Sequence, residues 1–373
     1  MSDTTLILLA AGSSSRFGHA VKKQWLRIDQ TPLWQFVADQ FQNTELFGNI
    51  IIAAHKDELS FMQLYSEHTF VAGGASRQAS LKNALKEVTT PYVLVSDIAR
   101  ACISIQMLQT LTEAKDLADV IVPVLNVTDT IVYDGETIDR DKVKRIQTPQ
   151  LSRTNLLKKA LESTTEFTDE SSAIVAQGGT RHFVSGSEDA HKITYFHDLS
   201  KLPCISAPSK LTVTGNGFDV HAFEDNKTMV LGGVKIASDF GFKAHSDGDV
   251  AIHALIDALL GAAGMGDIGM LFPDTDAQYK GIDSKILLEE TVAKIEMFGF
   301  EIQHADLTIA AETPRLKEYK LLMRHTLAKI LHIPASRMNV KATTTEKLGF
   351  IGRKEGVGVM ATATLNYYDW TQK

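Results

Sequence analysis

The sequence predicts an α/β protein of two domains, with a mostly parallel sheet in the first. Short apolar runs alternate with amphipathic stretches through the first half, a rhythm typical of a parallel sheet covered on both faces. The chain has 373 residues, 44% of them hydrophobic and 22% charged, and is long enough for two full cores. A short connector with two prolines, residues 201–209, predicts domains at 1–208 and 209–373.

Four apolar runs are expected to form strands of the first sheet: Thr5–Ala11, Ile50–Ala54, Tyr92–Ser96 and Val120–Val124. A helical pattern from Pro32 to Gln42 follows the first of them. Ligands in such folds bind at the carboxyl ends of strands, so a site is expected near the turn Gly12–Arg16. That turn suits either phosphate binding by backbone N–H groups or a plain change of direction. It is neither a Walker loop nor a dinucleotide fingerprint.

The second half contains a candidate metal site. Asp219 and His221 lie two apart on a predicted strand, so both side chains leave the same face. His253 lies near the start of the predicted apolar helix Val250–Ala263. Two imidazoles and one carboxylate with an open position are typical of catalytic zinc, although Asp-x-His alone favours surface histidines and a capping aspartate. Asp257, one helical turn after His253, either orients that imidazole or is an exposed carboxylate.

Composition excludes several classes of function. The net charge of −7 argues against broad nucleic-acid binding. No apolar run approaches the roughly 20 residues of a membrane span. The first apolar run has no basic region before it and is interpreted as a strand, not a signal peptide. Cys102 and Cys204 are interpreted as packing residues without a disulfide framework, which suggests a cytoplasmic protein.

Six blocks of the second half occur in a fixed order: Gly217–His221, His245–Asp249, Asp257–Ala262, Gly266–Gly269, Phe272–Asp276 and Lys341–Phe350. Together they resemble the 2-C-methyl-D-erythritol 2,4-cyclodiphosphate synthase family along residues 210–373. The resemblance implies that a substrate 2-phosphate attacks the β-phosphorus of a cytidine diphosphate and that CMP leaves. It also implies a loop, Leu271–Asp276, that closes over the substrate.

The same resemblance implies roles for individual residues. Zinc, or another divalent ion in its place, is expected on Asp219, His221 and His253, and a second cation, magnesium or manganese, near Glu346. His245 and Thr344 are the expected catalytic residues. The expected substrate-binding residues are Ser246, Asp267, Gly269, Phe272, Asp274, Asp276, Thr343, Thr345, Glu346, Phe350 and Arg353.

The first half carries a second ordered series: Ala10–Gly12 with Arg16, Lys23-Gln24, Gly73–Ser80, Asp97–Arg100, Asp129-Thr130, Asp139-Arg140, Thr148–Gln150, Thr168–Glu170 and Lys192–Thr194. It resembles the 2-C-methyl-D-erythritol 4-phosphate cytidylyltransferase family over residues 4–200. Two departures stand out. Lys22 replaces the proline of the usual Pro-Lys-Gln, and Ser96–Ala101 lacks the usual histidine and proline around its acid and arginine.

This second resemblance implies attack of a substrate phosphate on the α-phosphorus of CTP, with release of pyrophosphate. Arg16 and Lys23 are expected to stabilise the triphosphate charge, and Asp97 to accompany magnesium or manganese. Catalytic positioning of the methylerythritol phosphate is expected from Arg140 and Lys192. The other expected binding residues are Gly12, Arg77, Ser80, Arg100 and Thr130.

The two resemblances lead to one isoprenoid-precursor pathway, so the whole chain looks like a fused bifunctional enzyme. Trimeric cyclases and dimeric transferases would make it a homo-oligomer built in multiples of six. Small-molecule substrates are its expected ligands, no nucleic-acid or membrane partner is expected, and association with the intervening kinase is an additional hypothesis. Three alternatives stay open. They are a cyclase with a structural N-terminal platform, a nucleotidyltransferase for another alcohol phosphate, and a scaffold for that kinase.

Overall fold

The chain divides into two compact units, Met1–Ala207 and Pro208–Lys373. The computed structural model describes residues 2–244, 246–273 and 275–372. Among the helices of these residues, none combines the length and the apolar character needed to cross a membrane. The predicted α/β class with a mostly parallel N-terminal sheet and a second α/β unit is confirmed.

Unit 1 is built on an eight-stranded sheet of order β10-β7-β11-β6-β1-β4-β5, with β12 pairing alongside β7. Strands β5, β4, β1 and β6 run parallel, and β11 and β10 are antiparallel to their neighbours. The strands are β1 Thr4–Leu9, β2 Arg27–Ile28, β3 Thr31–Pro32, β4 Asn49–Ala54, β5 Thr69–Ala72, β6 Tyr92–Asp97, β7 Val120–Asn126, β8 Ile131–Tyr133, β9 Glu136–Ile138, β10 Lys144–Ile146, β11 Gln150–Arg153 and β12 Arg181–Ser185.

The central strands are apolar on both faces because helices cover both sides of the sheet. Every residue of β1 and β6 is buried, as expected for the middle of a parallel sheet. The helices are α1 Leu33–Gln42, α2 Leu59–Met62, α3 Arg77–Leu85, α4 Ile105–Glu113, α5 Thr154–Ala160 and α6 Glu170–Ala176. The four predicted strands and the predicted helix at Pro32–Gln42 are therefore found within a few residues of their expected limits.

The interpretation of the two cysteines was wrong. Cys102 and Cys204 form a disulfide, with Cα atoms 5.6 Å apart across a sequence separation of 102 residues. Cys102 is buried in the loop after β6, whereas Cys204 lies in an exposed segment near the end of unit 1. The fold brings the two together, so the bond ties the last residues of the unit to the loop that carries Arg100.

Unit 2 contains a five-stranded sheet of order β16-β13-β19-β17-β18 and a separate hairpin, β14-β15. The strands are β13 Thr212–Asp225, β14 Met229–Leu231, β15 Val234–Ile236, β16 Phe240–Phe242, β17 Phe300–Ala310, β18 Met338–Thr343 and β19 Gly356–Tyr367. The helices are α7 Val250–Ala263, α8 Ile268–Leu271, α9 Ser284–Met297, α10 Lys320–Ile330 and α11 Gly349–Gly352.

Helix α7 packs closely on β13, and this contact positions the candidate metal ligands. Asp249 caps the helix by accepting hydrogen bonds from the N–H groups of Ala251 (3.2 Å) and Ile252 (3.1 Å). A Cβ on Gly217 would lie 1.9 Å from the carbonyl oxygen of Ala254, so only glycine allows this approach. Asp219 follows on the same strand face and is thereby brought beside the first turns of the helix.

Candidate active sites

The first candidate site is a cavity of about 520 Å³ in unit 1, at the carboxyl ends of β1, β4 and β6. This is the edge of the sheet at which parallel α/β folds bind ligands. Of the residues predicted from the sequence, its lining includes Gly12, Arg16, Lys23, Arg77, Ser80, Asp97 and Lys192. The structure thus brings seven predicted site residues together from five separate motifs.

The turn after β1 is held in place by side chains beneath it. Ser14 adopts a left-handed backbone conformation (φ 59°), and its hydroxyl accepts a hydrogen bond from the N–H of Lys23 at 3.1 Å. A Cβ on Gly73 would lie 2.4 Å from that of Ala11, so the two loops approach closely. Ser80 shapes the second loop by accepting a hydrogen bond from the N–H of Gly74 at 3.0 Å.

Positive charges converge on this cavity. Burial first, and then the charges of Lys192 and Arg16, hold the pKa of Lys23 below its ordinary value. The ammonium of Lys23 donates to the carbonyl of Ile193 at 3.0 Å, which fixes its position. A site that concentrates three cations in this way suits a polyanion such as a nucleoside triphosphate.

Asp97 is the acidic centre of the cavity. Its Oδ1 accepts from Arg77 Nε (3.1 Å) and its Oδ2 from Lys192 Nζ (2.7 Å). Burial alone would raise its pKa, but Arg77 and Lys192 overcome that effect and hold the pKa below its ordinary value. Arg77 also donates to the buried carboxylate of Glu170 at 2.6 Å. Arg77 therefore supports Asp97 directly, a contact that the sequence did not reveal.

A second cavity of about 500 Å³ adjoins the first, because Arg16 and Lys192 line both. Arg100 also lines it and is anchored by hydrogen bonds to Thr148 Oγ1 (2.9 Å) and the Ala190 carbonyl (2.5 Å). Arg145 adds a further guanidinium. This neighbouring cavity is suited to a second, smaller anionic substrate.

Thr130 and Arg140 do not line either of these cavities. Both are exposed, on the segment that includes the hairpin β8-β9, and Arg140 Nη1 donates to the carbonyl of Thr128 at 2.6 Å. The predicted grouping of Arg140 with Lys192 is therefore not made within this cavity of a single chain.

The second candidate site is a triad of potential metal ligands in unit 2. Asp219, His221 and His253 each offer one ligand atom, and these atoms all lie within 4.8 Å of one another. Asp219 Oδ2 is 3.2 Å from His221 Nε2 and 3.3 Å from His253 Nδ1. The triad lies on the wall of a cavity of about 520 Å³. The predicted juxtaposition of these three residues is present in the structure.

The donor atoms fit a cation. His221 Nδ1 is 2.9 Å from the carbonyl oxygen of Gly248, and donation to that carbonyl leaves a lone pair on Nε2. Asp219 Oδ2 is buried and makes no hydrogen bond among the described residues. Burial would raise the pKa of Asp219, yet the two imidazoles hold it below its ordinary value. An unpaired carboxylate oxygen facing two ring nitrogens is the arrangement that a bound divalent ion resolves.

His253 is oriented by residues that sequence reasoning missed. Its Nε2 lies 3.1 Å from Ser284 Oγ, and that buried hydroxyl in turn donates to Asp247 Oδ1 at 2.5 Å. Asp257, the expected partner of His253, instead accepts from the N–H of Ile268, the first residue of α8, at 2.8 Å. Ser246 Oγ also lies 3.3 Å from His253 Nε2, so two serine hydroxyls, and not the aspartate one turn away, orient the imidazole.

The other predicted residues of unit 2 divide into four groups. Ser246, Gly269, Phe272 and Asp276 line the cavity of the triad. Asp267 caps α8 by accepting from the N–H of Met270 at 2.9 Å, and it is exposed outside the lining. His245 and Asp274 lie outside the described residues. The loop Leu271–Asp276 is described except at position 274.

The fourth group lies at the end of β18 and in the segment after it, and does not line this cavity. Its members are Thr343, Thr344, Thr345, Glu346, Phe350 and Arg353. Glu312, which the sequence did not single out, fixes the segment by accepting from the N–H groups of Thr345 (3.1 Å) and Lys347 (3.0 Å). Thr344 Oγ1 donates to Glu346 at 3.0 Å. These residues form a separate, preorganised exposed loop.

Two family sequence models match the chain. The model described as 2-C-methyl-D-erythritol 4-phosphate cytidylyltransferase matches residues 4–205, and that of the YgbB family matches residues 212–366. The two matches follow one another along the chain and separate close to the division between the two structural units.

Full-length relatives are similar over both halves. The bifunctional enzyme IspD/IspF of Sulfurimonas denitrificans is 62% identical over 99% of this chain and 95% of its own length. That of Sulfurovum is 56% identical over the whole of both chains. Among solved structures, the bifunctional IspDF from Campylobacter jejuni matches with a TM-score of 0.92 and 47% identity, covering 99% of this chain and all of the other.

Proposed function

The chain belongs to the bifunctional IspD/IspF family, and we propose how its residues carry out the two reactions of that family. It is an enzyme of the methylerythritol phosphate pathway, with cytidylyltransferase activity and cyclodiphosphate synthase activity. The first is a nucleotidyl transfer and the second a lyase reaction. The alternative of a cyclase with an N-terminal structural platform is not favoured, because the cytidylyltransferase match covers that half. We assign the transferase to residues 1–208 and the cyclase to 209–373.

In the transferase, we assign CTP to the first cavity and methylerythritol phosphate to the adjoining one. The N–H groups of the Gly12–Arg16 turn face the triphosphate, and Arg16 and Lys23 neutralise charge that builds up as pyrophosphate leaves. Asp97 is the carboxylate that would hold magnesium. Lys192 now pairs with Asp97 Oδ2 and lines both cavities, so it is placed to contact the incoming phosphate.

In the cyclase, Asp219, His221 and His253 would hold zinc, which would supply Lewis-acid polarisation of a substrate phosphate oxygen. Gly248 and Ser284 keep the two imidazoles in the orientation that presents Nε2 of His221 and Nδ1 of His253. Ser246, Gly269 and Asp276 line the space beside the triad and bind substrate there. Glu346 is the proposed protein ligand of the second cation, magnesium or manganese.

We expect Ser284→Ala to weaken zinc binding about 10- to 100-fold, because His253 Nε2 loses the nearer of its two hydroxyl partners and keeps only Ser246 Oγ at 3.3 Å. Zinc affinity is measured by competition with a chromophoric chelator on metal-free protein. Ser284→Thr, which keeps the hydroxyl, is the matched control. Equal affinities of the alanine and threonine variants would contradict this role.

A second copy of the chain is proposed to complete each site. Arg140 and Thr130 lie on an exposed segment whose hairpin also exposes Val132 (63%) and Tyr133 (74%). Phe218 and Met360, paired on neighbouring strands of unit 2, are about 60% exposed. These exposed apolar side chains support dimer formation by the transferase unit and trimer formation by the cyclase unit. A chain that satisfies both symmetries assembles in multiples of six copies. Association with the intervening kinase stays a prediction.

Mixing two inactive variants tests the transferase dimer. Arg140→Ala and Lys23→Met are each expected to lose transferase activity, but unfolded and refolded together they should recover about a quarter of the wild-type rate. Half of the random dimers are mixed, and one of the two sites in each carries both wild-type residues. The rate is measured as pyrophosphate release. No recovery, with mixed dimers demonstrated by differently tagged chains, would place Arg140 in its own chain's site.

The convergence of Asp219, His221 and His253 within 4.8 Å carries the metal assignment. It is tested with metal-free protein followed by phosphorus NMR. Methylerythritol 4-phosphate with CTP should yield pyrophosphate when magnesium is added. The cytidine diphospho-methylerythritol 2-phosphate should yield CMP and cyclic diphosphate only when zinc and magnesium are both present.

Use of CTP supports a cytoplasmic location, which the paired cysteines no longer support.

A further inference from the structure

A buried carboxylate lies beneath the phosphate-binding turn of unit 1. Glu58 follows β4 and has no solvent-exposed side-chain surface. It accepts hydrogen bonds from Lys22 Nζ (2.5 Å), Gln24 Nε2 (3.0 Å) and Trp25 Nε1 (2.7 Å). A charge buried this deeply is costly unless donors surround it. The donors all come from one short segment, residues 22–25.

Gln24 transmits the position of Glu58 to the turn. Its amide nitrogen donates to Glu58 and also to the carbonyl of Gly12 at 3.3 Å. Its amide oxygen accepts from Ser14 Oγ at 3.2 Å, and Ser14 Oγ accepts from the N–H of Lys23. A carboxylate only accepts, so Glu58 requires the NH₂ of Gln24 to face it. That requirement turns the amide oxygen toward Ser14.

Lys22 is the residue of this chain that departs from the usual proline of the Pro-Lys-Gln motif. Its ammonium forms the ion pair with Glu58, and its side chain is only 17% exposed. A proline at this position could not supply that charge. The substitution thus belongs to a buried network that leads to the phosphate-binding turn.

We propose that Glu58 is a positioning residue for CTP binding, acting through Gln24 on Gly12, Ser14 and Lys23. It touches no substrate itself. The proposal rests on the assigned role of the turn and of Lys23 in holding the triphosphate. Its effect is to fix the direction of the turn before the nucleotide arrives, which lowers the cost of ordering the site on binding.

The test compares Michaelis constants for the two transferase substrates in full-length variants. Glu58→Gln should raise the KM for CTP about tenfold or more, the loss expected when a hydrogen bond to a buried charge is removed. The KM for methylerythritol phosphate should change less than threefold, and cyclase activity of the same chain should not change. The double variant Lys22→Met/Glu58→Gln, in which no charge is left unpaired, should fold well and keep the raised KM for CTP.

Asp119→Asn is the control for general loss of a hydrogen-bonded carboxylate. Asp119 accepts from Thr180 N–H at 2.8 Å at the other end of the sheet, beside the start of β7. A KM for CTP in both Glu58 variants that matches this control would overturn the proposal, even if their melting temperatures fall. Lys23→Met distinguishes failure of the role assigned to the turn from failure of the role proposed for Glu58. If it too leaves CTP binding unchanged, the role assigned to the turn is wrong, and not merely that of Glu58.

Discussion

Replacing His253 with alanine should stop formation of the cyclic diphosphate while cytidylyl transfer continues at its normal rate. The substitution removes one of three donor atoms that lie within 4.8 Å of one another. Loss of Lewis-acid polarisation, worth several kcal/mol, corresponds to a fall of about a thousandfold or more in cyclase kcat/KM. CMP release gives the rate, and the zinc content per chain is measured by plasma mass spectrometry on the same sample.

His325→Ala is the matched control, since it removes an exposed imidazole of α10 outside the triad's cavity. It should retain zinc and both activities. Zinc retained at the wild-type level in His253→Ala would remove His253 from the ligand set. Loss of pyrophosphate release as well would mean that the substitution had damaged folding, in which case the more conservative His253→Gln is compared.

The fold and the metal triad could be predicted because their signals are local. β1 and β6 are buried along their whole length, and each contains an unbroken apolar run, Leu6–Leu9 and Tyr92–Val95. Asp219 and His221 occupy alternate positions of one strand, which places both side chains on one face whatever the rest of the fold does. The dense motifs then identified the partner helix that supplies His253.

The supporting residues could not be predicted, because they depend on tertiary packing. Ser284 lies 31 residues after His253, and nothing in its local sequence indicates a contact with the imidazole. Asp257 has the spacing expected for a partner of His253, but a nearer donor, the N–H of Ile268, takes its carboxylate. Cys102 and Cys204 likewise meet only because the end of unit 1 returns to the loop after β6.

The loop around Glu346 shows a different limit of sequence reasoning. A motif match indicates that a residue belongs to a site, but not which copy of the chain supplies it. Thr344 and Glu346 hydrogen-bond to each other on an exposed loop outside the cavity of the triad. Arg140 likewise lies outside the cavity that Lys192 lines. We have proposed that a second copy of the chain supplies these residues, and a contribution of that kind cannot be placed by inspection of one chain.

Lys23→Met should reduce cytidylyl transfer about 100- to 1,000-fold, the usual loss when one preorganised charge is removed from a developing anion. Methionine retains much of the apolar stem, so the change is mainly electrostatic. Cyclase activity of the same chain should be unaffected. Lys86→Met is the control, since Lys86 is an exposed lysine at the end of α3 that contacts Asn83.

The pH dependence of transfer provides an independent measure of the same group. Burial first, and then Lys192 and Arg16, lower the pKa of Lys23, and the role proposed for this residue requires its protonated form. The alkaline limb of kcat/KM for CTP should therefore begin at a lower pH than an ordinary lysine would give, and Lys23→Arg should move it upward. A limb that stays in place in Lys23→Arg would assign the titration to another group, because an arginine remains charged throughout this range.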